Sequence, residues 1–197
     1  MMARAPAANK PKAFSDCVAG RDGRHCLPMK VGLLSDTHNH VPAARRALDL
    51  LVARGAGHLV HCGDAGEDVV DLVSAVCRER GLHAHVAIGN CDRPQPGDAP
   101  FRTAPAGIER GETLEFTLAG KRCASLHGDR AERLAQAVAD GGFDYVFTGH
   151  THAPADQRSG ATRLLNPGSA ARPRQGPPTV ALLDLETDQA EWIPLPP

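Results

Sequence analysis

Residues 31–64 read VGLLSDTHNHVPAARRALDLLVARGAGHLVHCGD, and the periodicity of this stretch decides the fold class. Val31–Ser35 is a short apolar run of the kind that forms a strand. Pro42 fits a first helical position, and Ala43, Ala47, Leu48, Leu51 and Val52 then recur at helical spacing until Gly55 and Gly57 end the helix. A second strand is predicted over His58–His61. The pattern continues with a helix over Asp68–Arg80, carrying Val69, Leu72, Val73 and Val76 on one face, and a third strand over His83–Ile88. Strand, helix, strand, helix, strand in this order implies a parallel sheet with right-handed crossovers.

Outward from this block the signals change. Residues 1–28 mix Ala, Pro, Lys, Arg and Gly without periodicity and read either as a disordered extension or as a mis-assigned start, with Met29 the true first residue. Residues 29–197 then form the one folded domain. Downstream, Asp92–Gly111 contains Pro94, Pro96, Pro100 and Pro105 and reads as a long loop, a kind that is usually functional or disordered. Thr113–Leu118 and Arg122–Leu126 flank Ala119-Gly120 and predict a hairpin. A helix is expected from Asp129 or Arg130 to about Asp140, a strand over Tyr145–Thr148, and antiparallel strands over Ala161–Leu165, Thr179–Leu185 and Ala190–Ile193. The class is α/β with mixed sheets.

Composition narrows the function. With 22 Lys and Arg against 23 Asp and Glu, no global basic field argues for nucleic acid or an anionic membrane, and no basic stripe marks a nuclease. No apolar run approaches the roughly 20 residues of a membrane-spanning helix. The N-terminal segment lacks the apolar core of a secretory signal, so a cytoplasmic protein is expected. The six cysteines form no C-x-x-C pair and read as free thiols. Oligomeric state is not legible.

The chemistry lies where the strands end. Strand one runs into Asp36-Thr37-His38, strand two into Gly63-Asp64, and strand three into Gly89-Asn90-Cys91-Asp92. The second hairpin strand runs into His127-Gly128, and the strand at Tyr145 into Gly149-His150-Thr151-His152. Five strands thus carry Asp, His or Asn at the carboxyl edge, where α/β sheets place their binding crevice. Singly, each piece is unremarkable: Gly-Asp is a common turn, and a lone histidine after a strand is usually a surface residue. The ordered set points to metal. Carboxylate, imidazole and amide oxygen suit hard and borderline divalent ions. Two such ions roughly 3.5–4 Å apart need about seven side chains and a shared ligand, for which Asp64 has the two oxygens.

The series D-x-H, G-D, G-N-C-D, H-G, G-H-T-H resembles the calcineurin-like metallophosphoesterase superfamily, and in particular its small single-domain YfcE-like bacterial branch. The likeness runs from Met29 to the C-terminus and includes Asn166-Pro167-Gly168-Ser169 as a later turn. It implies an αββα sandwich, two facing mixed sheets flanked by helices with a dinuclear site at their joint edge. It further implies that Asp36, His38, Asp64 and His152 hold one metal, and Asp64, Asn90, His127 and His150 the other.

Two departures matter. Many relatives with phosphatase activity carry a histidine acid after the Asn, where this chain has Cys91 followed by Asp92; the G-D-x-x-D-R-G pattern of protein phosphatases is missing too. The expected activity is therefore phosphodiester hydrolysis of a small substrate by a metal-bridging hydroxide, with His127 stabilising charge and Cys91 and Asp92 at the leaving-group side. Mn²⁺ is the first expectation for the metals, with Fe, Ni, Co or Zn fitting the same donors. A phosphomonoesterase of the same superfamily and a non-catalytic scaffold resembling the retromer subunit are the alternatives. His40 reads as solvent-exposed, with substrate contact the alternative, and Arg172 and Arg174 read as a solvated surface loop, with reach to a phosphate the alternative. His58, His61, His83 and His85 read as strand-face or turn residues, and Phe101 as either a stacking residue or a loop anchor.

Overall fold

In β1 (Lys30–Leu34), Val31 and Leu33 face one way and Leu34 the other, and all three are fully buried. A strand apolar on both faces has to be covered on both. The computed structural model, which describes residues 29–95, 102–139 and 141–196, shows how.

β1 lies within a six-stranded sheet of order β11-β10-β1-β2-β3-β4, with β2 at His58–His61, β3 at Ala84–Ala87, β4 at Ile108–Gly111, β10 at Thr179–Asp184 and β11 at Gln189–Pro194. β1 to β4 are mutually parallel, and β10 and β11 add antiparallel at one edge. The parallel crossovers are helices α1 (Val41–Ala53) and α2 (Glu67–Arg80), which cover the outer face through Leu48, Leu51, Val69, Val70, Val73 and Val76. The inner face, with Val31, Leu33, Val60, Ala181 and Leu183, packs against a second sheet of order β5-β6-β7-β9-β8 through Leu118, Cys123, Tyr145, Phe147 and Leu165. That sheet comprises β5 (Thr113–Leu118), β6 (Lys121–Leu126), β7 (Tyr145–Phe147), β8 (Pro154–Ser159) and β9 (Thr162–Pro167). Helix α3 (Ala131–Ala139) lies on its outer face over Ala124, Leu126 and Val146. The architecture is the αββα sandwich of two facing mixed sheets.

Helix α1 starts without a Ser, Thr, Asp or Asn cap; the Nδ1 atom of His40 accepts the Ala43 N–H at 3.1 Å instead, and Pro42 follows one position later than the sequence suggests. The β5–β6 turn has positive φ at both Ala119 and Gly120, as a two-residue hairpin of right-handed twist requires.

Three sequence expectations are corrected. The Asp92–Gly111 segment is not loop throughout, since Ile108–Gly111 is a strand paired in parallel with β3. β8 was not expected, because Pro154 and the polar Asp156, Gln157 and Arg158 hide an edge strand with little to bury. β9 pairs in parallel with β7, so the C-terminal third is not wholly antiparallel. The expectations for residues 1–28 and Phe101 lie outside the described residues. Among those described, no helix is long and apolar enough to cross a membrane.

At the amino end of β2, His58 Nε2 and His85 Nδ1 share a hydrogen bond of 2.8 Å, and the His85 ring stacks on Phe116 with centroids 3.7 Å apart. Burial drives both imidazoles below their ordinary range, His58 to about 3 and His85 to about 4. The folded chain therefore refuses protons that the unfolded chain accepts below its histidine value of about 6.5. This stability is complete above that pH and is lost as pH falls toward 4. The melting temperature is expected to drop over that window, and His85→Gln, which cannot titrate, should flatten the drop. Parallel melting curves of the two proteins from pH 7.5 to 4.5 contradict the assignment.

Candidate metal centre

The carboxyl ends of β1, β2, β3, β6 and β7 converge at one rim of the sandwich, and the left-handed backbone there decides where the side chains go. Among the described residues, eight non-glycine positions have positive φ, and five of them are Asp36, His38, Asp64, His150 and His152. Such conformations are uncommon outside glycine and cluster at functional sites. They turn each chain sharply at its strand end, so that the side chain folds back over the rim instead of continuing the strand's alternation.

Two glycines permit the resulting closeness. A Cβ on Gly89 would lie 2.0 Å from Asp64 Oδ1, and one on Gly149 would lie 2.0 Å from Ser35 Oγ and 2.9 Å from Asp36 Oδ2. Neither position tolerates a side chain without moving a carboxylate or its immediate support.

Three overlapping groups of donor atoms result, each within a 4.8 Å span: Asp36, His38 and His152; Asp36, Asp64 and His127; and His38, Asp64 and Cys91. The His150 ring stands edge-on to His127 at 5.2 Å between centroids, and its backbone N–H donates to Asp36 Oδ2 at 3.2 Å. Asn90 is exposed at the mouth and donates from Nδ2 to Cys91 Sγ at 3.2 Å.

Two of the imidazoles are oriented by backbone carbonyls. His127 Nδ1–H donates to the Cys62 carbonyl at 2.9 Å and His152 Nδ1–H to the Arg172 carbonyl at 2.5 Å. Outer-shell bonds of this kind fix which ring nitrogen carries the proton. In the neutral rings, the Nε2 lone pairs are then left pointing inward. His127 Nε2 lies 3.3 Å from Asp64 Oδ2 and 3.9 Å from Asp36 Oδ1. His152 Nε2 lies 3.2 Å from Asp36 Oδ1 and 3.3 Å from His38 Nε2. His127 Nε2 and Asp36 Oδ1 are both buried and have no hydrogen-bond partner. Electron-rich atoms facing one another in a buried pocket repel unless a proton or a cation lies between them. The donor set therefore fits a divalent metal.

The titration directions follow the same crowding. Burial pushes the Asp64 carboxyl up, but the His127 imidazole and the Cys91 backbone N–H outweigh it and hold Asp64 well below the usual carboxylate range. Burial pushes His127 down, and the Asp64 carboxylate with the Cys62 carbonyl reverses this to a net rise. For Asp36, burial wins and the pKa is raised. Burial, with Asp64 alongside, pushes the Cys91 thiol up to about 11.

The expected residues fall into two groups. Asp36, His38, Asp64, His127, His150, His152, Asn90 and Cys91 line one rim. Asp92 was expected to act at the leaving-group side, but its Oδ1 accepts Gly66 N–H at 2.9 Å and its Oδ2 Gly89 N–H at 2.8 Å. With both oxygens occupied, Asp92 shapes the turns that carry Asp64 and Asn90. Sequence reasoning missed Arg93, which links that turn to the His127 turn through Asp129 at 2.6 and 3.2 Å and also bonds Glu112 at 3.2 Å. Ser169 was noted only as part of a turn, and its role was not foreseen: its hydroxyl donates to the Asp36 carbonyl at 2.9 Å. Adjacency to Asn90-Cys91-Asp92 is the only sequence signal Arg93 carries, and the Asn166-Pro167-Gly168-Ser169 turn is that of Ser169. His61 is structural: it accepts Gly63 N–H and meets Thr37 Oγ1 at 2.9 Å.

Comparison with known proteins agrees with this geometry. Phosphodiesterase MJ0936 of Methanocaldococcus jannaschii is 27% identical over 174 residues, covering 85% of this chain and 99% of its own. Phosphodiesterase YfcE of Escherichia coli K12 is 29% identical over 169 residues, covering 79% of this chain and 88% of its own. A solved archaeal phosphodiesterase superposes with a TM-score of 0.71 at 23% identity over 85% of this chain and all of the other, a likeness of fold. The model of the calcineurin-like phosphoesterase superfamily domain matches residues 29–188, and the chain belongs to that superfamily.

Proposed function

We propose that this protein is a phosphodiesterase that works with two divalent metal ions, held by Asp36, His38, Asp64 and His152 on one side and by Asp64, Asn90, His127 and His150 on the other. The observation that carries the reading is that His127 Nε2 and Asp36 Oδ1 are buried, face one another across the rim and have no hydrogen-bond partner, with His152 Nε2 3.2 Å from the same Asp36 oxygen. Membership of the phosphoesterase superfamily supplies the substrate class. A metal pair, when bound, supplies an acidified water as nucleophile and positive charge facing the phosphoryl oxygens.

The chain's own residues do the rest. Two carboxylates among mostly neutral donors leave the loaded centre net positive, which favours an anionic ester over a neutral one. His127 is buried and held by the Cys62 carbonyl, and His152 by the Arg172 carbonyl, so neither ring swings as charge builds on the phosphate. Asn90 and Cys91 are exposed at the mouth, where a leaving group would depart in this reading. A thiol is a weak hydrogen-bond donor, so Cys91 gives a poor alkoxide little help to depart. Diesters with phenol-like leaving groups need little, and they are the favoured class. The donors fit Mn²⁺ first, and Fe, Ni, Co or Zn as well. The complete donor set favours an enzyme over a scaffold resembling the retromer subunit.

The direct test is hydrolysis of bis(4-nitrophenyl) phosphate by the metal-loaded protein. Activity is expected to disappear with a strong chelator and to return best with Mn²⁺; unchanged turnover after chelation, with no metal found by elemental analysis, overturns the reading. Asp64→Ala should empty both metal positions, whereas Asn90→Ala should weaken mainly one. Two sites of near-native affinity in a metal titration of Asp64→Ala would remove Asp64 as the bridge. Finally, Cys91→His should shift the ratio of kcat/KM toward the monoester when a monoester and a diester share one leaving group. The size of a positioned acid's contribution, roughly 10²–10⁴-fold, sets the ceiling on that shift. A constant ratio with metal content preserved means that this position does not govern the choice.

A further inference from the structure

Arg172 is held at two points by its backbone and, among the described residues, at none by its side chain. Its N–H donates to Ser169 Oγ at 2.7 Å, and its carbonyl accepts from His152 Nδ1 at 2.5 Å. Ser169 Oγ–H in turn donates to the Asp36 carbonyl at 2.9 Å, and His152 Nε2 lies 3.2 Å from Asp36 Oδ1. Asp36, Ser169, Arg172 and His152 thus close a ring. The Cα of Arg172 is placed relative to the donor cluster as firmly as His152 itself.

The side chain is exposed and, among the described residues, has no hydrogen bond and no ion pair. The arginines on the opposite, His127 side are committed elsewhere: Arg93 pairs with Asp129 and Glu112, and Arg130 and Arg133 pair with Glu112. The charge of Arg172 lies within electrostatic reach of His38. A lone guanidinium beside a site built for cations is repelled when the metals are bound, and no carboxylate among the described residues pairs with it to offset this. Its position becomes favourable when an anion enters between it and the metals, and a planar guanidinium offers two parallel N–H donors to phosphate oxygens.

We propose that Arg172 grips a non-bridging phosphate oxygen of the substrate from the His38–His152 side of the centre. The inference rests on the phosphoesterase reading and adds to it the residue that sets ester affinity. Arg174, two residues on and likewise exposed, lacks the two-point backbone anchorage and serves as the internal control.

The test is calorimetric titration of inorganic phosphate into Mn²⁺-loaded full-length protein for the wild type, Arg172→Ala, Arg172→Lys and Arg174→Ala, with metal content measured in each. Arg172→Ala should weaken phosphate binding by about tenfold or more, as loss of charge-assisted hydrogen bonds implies. Arg172→Lys should recover part of that loss, and Arg174→Ala should bind as the wild type does. Metal content should stay constant throughout, because truncation beyond Cβ leaves both backbone bonds of Arg172 in place. Equal phosphate affinity in the wild type and Arg172→Ala overturns the inference. Loss of metal from Arg172→Ala also overturns it, since Arg172 would then be a positioning residue for His152. Metal-loaded wild-type protein that takes up no phosphate and hydrolyses no ester defeats the phosphoesterase reading itself, and this inference with it.

Discussion

Asp36 is a carboxylate with no solvent exposure, and a charge in that position has to be surrounded by partners. Its N–H donates to the Gly63 carbonyl beyond β2 at 3.0 Å. Its carbonyl accepts the Ser169 hydroxyl beyond β9, and its Oδ2 accepts the His150 N–H beyond β7. One residue therefore ties the first sheet to the second at their shared rim. Only Oδ1 is left over, and it faces the imidazoles of His127 and His152. The rest of the centre is organised around keeping that oxygen available.

The rim is bought with backbone strain. Left-handed φ at non-glycine residues costs of order 1 kcal/mol or more each, and Asp36, His38, Asp64, His150 and His152 all carry it. Backbone bonds between the turns offset part of this, with His38 N–H to the Asp64 carbonyl at 2.8 Å and Gly149 N–H to the His127 carbonyl at 2.9 Å. The two well-filled layers beneath, Val31 to Leu183 between the sheets and Leu34 to Val180 under α1 and α2, hold the turns in place. A centre so constrained loses little entropy when its donors are recruited, because most are already held.

Much of this was legible in the sequence because it rests on local signals. The alternation of apolar runs with helical periodicity gave the parallel core, and a ligand-type residue after each strand marked the rim. What was not legible depends on pairing across space. β4 is four residues long and follows a Pro-rich segment, so only its hydrogen bonding to β3 reveals it. Asp92 looked like chemistry because it sits two residues beyond Asn90, yet its oxygens are used by Gly66 and Gly89. The carbonyls of Cys62 and Arg172 carry no motif at all, since orienting a ring requires only a backbone oxygen in the right place, and the Asn166–Ser169 turn was visible without the role of its hydroxyl. His40, read as an exposed residue outside the ligand pattern, caps a helix, a role that only the backbone of α1 reveals.

The distribution of the donors along the chain has a consequence for how the molecule is made. His38 and His152 face each other across a separation of 114 residues, and Asp64 and His127 across more than half that distance. Asp36, His38, Asp64 and Asn90 are synthesised before the second sheet exists. Contacts of such high sequence separation form late, after the closure entropy of the intervening chain has been met. A half-folded chain offers at most a part of the donor set, such as His38, Asp64 and Cys91, and the trios that include His127 or His152 wait for the second sheet. The complete rim is thus a product of the finished fold, assembled only when both sheets have closed on one another.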